Sequence, residues 1–226
     1  MEFIAGATSS AFDVTNSDLL EPEKVNNYEI GFRGNLDQVQ FTVSAFYNHS
    51  DNGQNVNFAE GAIEGLAVVT RDPVRVYGVE STIDWQPDDF WGLGATFTWS
   101  EGDFDRFGDD RGFIPLSSLE IAPFKITVYV ENQTLPSWSN RLQLLWVGDR
   151  NRALNDGTED FDINSYVTLD YISSLAVGPG ELQLGVENIL NIQFFPLESQ
   201  TQIGVTALRR LPAPGRRVSL RYVATF

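Results

Sequence analysis

The sequence predicts an all-β chain: an antiparallel transmembrane β-barrel with short turns on one rim and long loops on the other. Three observations carry that reading. Apolar and polar residues alternate with period two over nine stretches. The connections between those stretches alternate between short and long. Bulky aromatics gather near strand ends on one face, while charge falls on the opposite face. Alternation of this kind places successive side chains on opposite sides of a strand, so each stretch has one apolar and one polar face.

The strands follow in order. Residues 26–35 set Tyr28, Ile30 and Phe32 against Glu29, Gly31 and Arg33. Residues 38–49 put Val39, Phe41, Val43, Ala45 and Tyr47 on one face, and a third strand is expected at 74–86. The fourth, 91–100, carries Trp91, Leu93, Ala95, Phe97 and Trp99 opposite Gly92, Gly94, Thr96, Thr98 and Ser100. Strands at 123–131, 140–148, 164–173, 181–189 and 216–226 repeat the pattern, and FIAGATSSAF (residues 3–12) reads as a partial tenth. Helix-period stripes are hard to find.

Alternation alone would favour a soluble β-sandwich, which also has one dry and one wet face. The connections argue otherwise. NLDQ, QPDDF, ENQTLPSWS and SLAVGPG are short; the segments 13–25, 50–73, 101–122, 149–163 and 190–214 are long. Such sorting of connections between two rims belongs to outer-membrane barrels, with short periplasmic turns and long extracellular loops. On that assignment Trp85, Trp91 and Phe226 fall at the periplasmic edge. Tyr28, Tyr47, Tyr77, Trp99 and Trp146 fall at the outer edge, all on the apolar face. These make two girdles, where amphipathic rings are best placed. The apolar face carries no Asp, Glu, Lys or Arg within strand centres, with Arg75 only at a strand tip. The other face carries Glu29, Arg33, Glu80, Asp84, Lys125, Arg141, Asp170, Glu187, Arg217 and Arg221. A basic residue facing lipid at mid-bilayer costs about 2–4 kcal/mol, so this sorting fits lipid outside and a polar lumen inside.

Composition narrows the function. The 226 residues include no cysteine, which excludes disulfides and thiolate metal sites. A net charge of −16 argues against nucleic acid and anionic lipid surfaces as partners. Twelve of those sixteen net charges fall in the five long loops, where they solvate the outer side. No run approaches the roughly 20 apolar residues of a membrane helix, and the residues after Met1 lack the basic head and apolar run of a secretory leader. No catalytic constellation is visible, so neither enzymatic activity nor a cofactor is expected. The single histidine, His49, sits at a rim; Asp109 and Asp110 lack the spacing of a calcium loop; Asp88 and Asp89 suit a tight turn.

Four blocks resemble TonB-dependent receptors, in the order that family uses. LEPEKVNNYEIGFRG (residues 20–34) has the form L-x-P-E-x-x-x-x-Y-E-x-G. VYGVESTIDWQPDDFWGLGATFTWSEGD (residues 76–103) is similar to the next hairpin, with Y-G-x-E and a W-x-P turn. SYVTLDYISSLAVGPGELQLGVENILNIQFF (residues 165–195) resembles the penultimate hairpin, and PGRRVSLRYVATF (residues 214–226) the closing strand. The resemblance is to the ferric-siderophore receptor type.

It implies that residues 1–226 are nine or ten strands from the C-terminal part of a barrel of about 22. The plug domain and its TonB-contacting box are not represented. Alone, such a fragment has two unpaired edges facing lipid and is expected not to be competent. The resemblance further implies the outer membrane of a Gram-negative type bacterium and uptake of a ferric siderophore or similar chelate. Its implied partners are TonB through the plug, outer-membrane lipid and the barrel assembly machinery, which would read Tyr222 and Phe226 as its signal. No family ligand position carries over, because the loops vary. Aromatics and arginines suit a ferric chelate through stacking and charge, so the long loops offer Phe104, Phe107, Phe113, Phe194, Phe195, Arg209 and Arg210. Loop-to-loop packing is the alternative role of each. Two other readings stay open: a complete ten-strand porin-like barrel or outer-membrane enzyme, and a soluble sandwich that acts as a binding module.

Overall fold

A computed structural model describes residues 22–58, 67–105, 112–155, 162–201 and 211–224. The strands are β1 (Asn26–Leu36), β2 (Val39–Phe58), β3 (Ala67–Trp85), β4 (Trp91–Phe104), β5 (Ile114–Pro115), β6 (Lys125–Leu135), β7 (Trp138–Val147), β8 (Tyr166–Val177), β9 (Gly180–Glu187) and β10 (Arg217–Ala224). Two short helical turns, α1 (Arg152–Asn155) and α2 (Leu197–Gln200), lie in the β7–β8 and β9–β10 connections. All ten strands join one antiparallel sheet in the order β1-β2-β3-β4-β6-β7-β8-β9-β10, with β5 paired to β4. Each long strand lies beside its neighbour in sequence. Among the described residues the sheet is open, with β1 and β10 at its edges. The segment 3–12 lies outside the described residues; among the described residues the tenth strand is the two-residue β5.

Turn chemistry sets the register. Asp37 has φ 49° in the two-residue turn between β1 and β2, a left-handed conformation that Asp tolerates. Asp88 Oδ1 accepts hydrogen bonds from the backbone N–H of Phe90 and Trp91, each 2.8 Å, and so starts β4. Tyr28, Tyr47 and Tyr77 align across β1, β2 and β3, and Trp85 pairs with Val39. A slip of one residue would turn every one of these rings to the other face.

Most strands are longer than expected, though β9 and β10 are not. β6 and β7 consume most of ENQTLPSWS, leaving a turn at Pro136–Ser137, and β8 and β9 tighten SLAVGPG to Gly178–Pro179. The largest difference is in 50–73, expected as a loop. There β2 and β3 run on as a two-stranded arm, past a bulge at Ser50/Gly53, with Phe58 pairing to Ala67. Arg75 is therefore inside β3, not at its tip. The run SDNGQNVN (residues 50–57) is rich in turn-forming residues, so the sequence signal for a strand is lost there.

The outward face is apolar and open. Ile30 and Phe32 are 67% and 71% exposed, and Val43, Ile83, Trp91, Leu142, Leu144, Trp146, Val218 and Leu220 are exposed as well. A patch of this size is untenable in water and natural against lipid. Trp138 joins Trp85 and Trp91 among the exposed rings beside the short turns. Buried apolar residues lie instead at the outer rim. Phe104, Leu116 and Ile121 form a cluster packed by Val74, Val76 and Ile114. Gly102 makes room for it: a Cβ there would meet Leu116 at 2.6 Å and Ile121 at 3.0 Å.

Candidate functional site

The polar face of the sheet is built in rows along the hydrogen-bonding direction. One row runs Thr42–Thr82–Thr96–Thr127 and on through Leu145 to Thr168. Threonine suits such a place because its β-branch favours a strand while its hydroxyl faces water. The next row toward the short turns runs Gln40–Asp84–Gly94–Tyr129–Gln143–Asp170. Gly94 has no side chain, and the Tyr129 ring crosses the space to donate its hydroxyl hydrogen bond to Asp84. The Arg141 guanidinium sits 3.8 Å above that ring, pairs with Glu131 at 2.7 Å, and donates to Gln143 Oε1 at 2.9 and 3.2 Å. Asp84, Tyr129, Glu131 and Arg141, together with Gln40, Asp88 and Asn140, line a concavity of about 900 Å³. A second, of about 430 Å³, lies between Gln143, Asp170, Gln183, Glu187 and Arg221. Arg217 pairs with Glu187 across β9 and β10. Opposite charges thus pair on the polar face at Arg141 and Arg217.

The outer rim is held differently. Asp103, 1% exposed, accepts from Arg75 Nε at 3.0 Å and from Arg152 at 2.6 Å. Glu101 accepts two bonds from Arg150, at 3.0 and 3.3 Å, and one from Arg152 at 3.3 Å. Arg150, itself 4% exposed, also donates to Ser118 Oγ at 3.0 Å and to the Leu116 carbonyl at 2.8 Å. This one cluster ties β3, β4, the β4–β6 loop and the β7–β8 loop together. The Arg152 guanidinium is held above its ordinary range. Partial burial works against its charge, and the Tyr77 hydroxyl with the Asp103 and Glu101 carboxylates outweighs that. In the sequence these charges read only as solvated loop. Their partners stand 28 to 51 residues apart, and no local pattern joins them.

The β9–β10 connection is ordered by two amides. Asn188 adopts φ 50°, accepts from Ile192 N–H at 3.0 Å and donates to the Ile192 carbonyl at 2.9 Å. Gln200, 2% exposed, accepts from Asn164 N–H at 2.8 Å and donates to the carbonyls of Asn164 at 3.0 Å and Phe195 at 2.9 Å. It binds the segment before β8 as a neighbouring strand would.

The predicted loop residues fall in different settings. Phe104 lies in the buried rim cluster at 3% exposure. Phe113 lies under Arg75, whose guanidinium carbon is 4.2 Å from the ring centroid. Phe194 stacks on Tyr166 with centroids 4.3 Å apart, and Phe195 beside it is exposed. Phe107, Arg209 and Arg210 lie outside the described residues, as does Phe226. Tyr222 is exposed near the short-turn end of β10, where its hydroxyl donates to the Val177 carbonyl at 2.9 Å. His49 Nε2 donates to Asp51 Oδ1, 2.8 Å away at the rim. Among the described residues no group of three or more His, Cys, Asp or Glu is arranged to hold a metal.

A single antiparallel sheet, apolar outside and polar inside, with rings near both ends of its strands, is the wall of a membrane-spanning β-barrel. The chain belongs to the TonB dependent receptor-like, beta-barrel family, whose model matches residues 3–189. That is a family of receptors and transporters, not of enzymes, and its place is the outer membrane of Gram-negative bacteria. The chain is 26% identical to the ferric aerobactin receptor of Escherichia coli, over 92% of this chain and 28% of that protein. It is equally similar to the ferric aerobactin receptor of Klebsiella pneumoniae, of which it covers 27%. The chain thus spans a little over a quarter of the length of these relatives. Among solved structures, the copper transporter OprC shares the fold with a TM-score of 0.72 at 19% identity, over 88% of this chain and 31% of that one. The ferric yersiniabactin uptake receptor FyuA of Yersinia pestis does so with a TM-score of 0.63 at 18% identity, over 88% and 29%.

Proposed function

We propose that this chain is the C-terminal part of the barrel wall of a receptor that takes a ferric siderophore, or a similar chelate, across the outer membrane. The observation that supports it most is the alignment with two ferric aerobactin receptors along 92% of the chain. In this reading residues 1–226 are one partial barrel domain, the plug lies elsewhere in the receptor, and the plug is what meets TonB. The wall performs no chemistry on its cargo: transport is binding followed by gating, and the chain is not an enzyme. Phe195, the stacked Phe194, Phe113, Phe107, Arg209 and Arg210 contact or frame the chelate from the loops, and Phe104 supports them from beneath. The assembly machinery reads Tyr222 and Phe226.

Growth on a ferric chelate in a receptor-deleted strain tests this. The receptor that carries this segment restores growth, and the 226-residue chain alone does not, because β1 and β10 would leave open edges in lipid. Growth supported by the chain alone refutes the fragment reading and favours a complete small barrel.

A further inference from the structure

We infer that Lys125 is the residue that selects anionic chelates, resting on the ferric-chelate reading above. Lys125 opens β6 at the end away from the short turns and faces the polar side of the sheet. It is exposed. Among the described polar-face residues in the outer half of the wall, it is the cation with no carboxylate partner. Arg217, by contrast, is paired with Glu187.

The surroundings explain why Lys125 stays free. Its row reads Ser44–Glu80–Thr98–Lys125–Val147–Tyr166. Both direct neighbours in that row, Thr98 and Val147, are uncharged, and so is Thr127 two residues along the strand. Glu80 lies two strands away, beyond Thr98. On a chain of net charge −16 a flexible lysine finds a carboxylate with ease, yet among the described residues Lys125 makes no ion pair, not even with the exposed Asp149 two residues beyond Val147. Two strands in the other direction, about 10 Å across the sheet, stands Tyr166 with the Phe194 ring stacked on it. The patch therefore presents one ammonium, one hydroxyl at Thr98 and one aromatic wall, spaced as a small chelate is sized. A ligand carboxylate supplies the missing anion, and the apolar body of the chelate lies toward Phe194. A desolvated charge-assisted contact of this kind discriminates strongly against a neutral analogue.

The experiment is a binding titration on the receptor carrying this segment, purified in detergent. The two probes are a ferric trihydroxamate bearing a free carboxylate and the same chelate with that group as a carboxamide. The unsubstituted receptor binds the acid about tenfold tighter than the amide, the size of one charge-assisted contact. Lys125→Gln abolishes that preference while leaving the amide affinity unchanged, and Lys125→Arg keeps most of it. Lys125 is exposed at a strand end, so the variants fold; resistance of the barrel to unfolding in sodium dodecyl sulfate on gels checks this. Phe194→Leu weakens both probes by the same factor. A Lys125→Gln receptor that still prefers the acid overturns the inference. Failure of both probes to bind the unsubstituted receptor overturns the ferric-chelate reading beneath it, a distinct result.

Discussion

In the wall, Ile30 and Phe32 are 67% and 71% exposed, whereas at the rim Phe104 and Leu116 are 3% and 4% exposed. Residues of the same kind thus meet opposite fates a short distance apart. The wall needs no apolar core, because lipid is the solvent of its outer face and every backbone polar group inside the sheet is satisfied by a neighbouring strand. The rim stands in water and must supply its own cohesion. It does so with a small apolar cluster under Gly102 and an ion cluster in which two carboxylates share three arginines. The wall carboxylate Glu131 is wetter, its side chain 48% exposed against 14% for Glu101 and 2% for Asp103, while Arg141 at 34% is no wetter than Arg75 or Arg152.

The comparison can be broken at either region. The largest effect is expected at the rim, from Arg150→Met. It leaves Glu101 with Arg152 alone and takes the guanidinium donor from the Leu116 carbonyl, and loss of one partner from a buried pair costs about 3–5 kcal/mol. External protease should then cut the β4–β6 and β7–β8 loops quickly in intact cells while the wall stays folded. Phe104→Ala should cost a similar or slightly smaller amount, about 3–5 kcal/mol for a buried ring, seen as a rim that opens at lower denaturant than the wall.

In the wall the order of tolerance reverses. Leu144→Ala, at an exposed lipid-facing site, should barely matter, but Leu144→Arg should cost about 2–4 kcal/mol of insertion free energy. Folding into vesicles with a denaturant titration measures it. An arginine tolerated there at no cost would mean that this face does not meet lipid. Gly94→Val drives a side chain into the Tyr129 ring and should cost about 1–3 kcal/mol through overpacking. Gly94→Val combined with Tyr129→Ser should recover most of that loss in the same titration. The smallest effect is expected from Arg141→Gln, under about 1 kcal/mol, because its partners are solvated.

Much of the wall was legible because strand parity is a local property. Tyr28, Ile30 and Phe32 announce their face within five residues, and every charged residue assigned to the polar face from alternation lies on it in the paired register, from Glu29 to Arg221. Parity also misled in two ways. It could not see the β2–β3 arm, where the turn-forming run SDNGQNVN (residues 50–57) hides the strand. It also placed Arg75 at a strand tip because the pattern lapses beyond Tyr77. Phe46 and Tyr129 break the rule in another manner: both rings sit on the polar face, and each lies across a glycine of the next strand, Gly78 and Gly94. Alternation assigns a face but not what shares it.

The candidate loop residues were legible only as types. Sequence could nominate Phe104, Phe113 and Phe194 as aromatics in long loops, but their settings came from partners far away: a buried cluster for Phe104, Arg75 for Phe113 and Tyr166 for Phe194. Lys125 reads in sequence as one more polar-face charge. Only the register, which brings Thr98 and Val147 beside it, makes it a cation without a partner.

The sequence by itself determined where the strands of the wall run, which face their side chains take, and which connections are short. These follow from a period of two and from the cost of charge in lipid, both read within a dozen residues. Tertiary structure decided where the rim finds its cohesion and which cation is left free. Those depend on contacts between residues tens of positions apart, such as Arg150 with Glu101, and no local pattern encodes which distant partner a loop will meet.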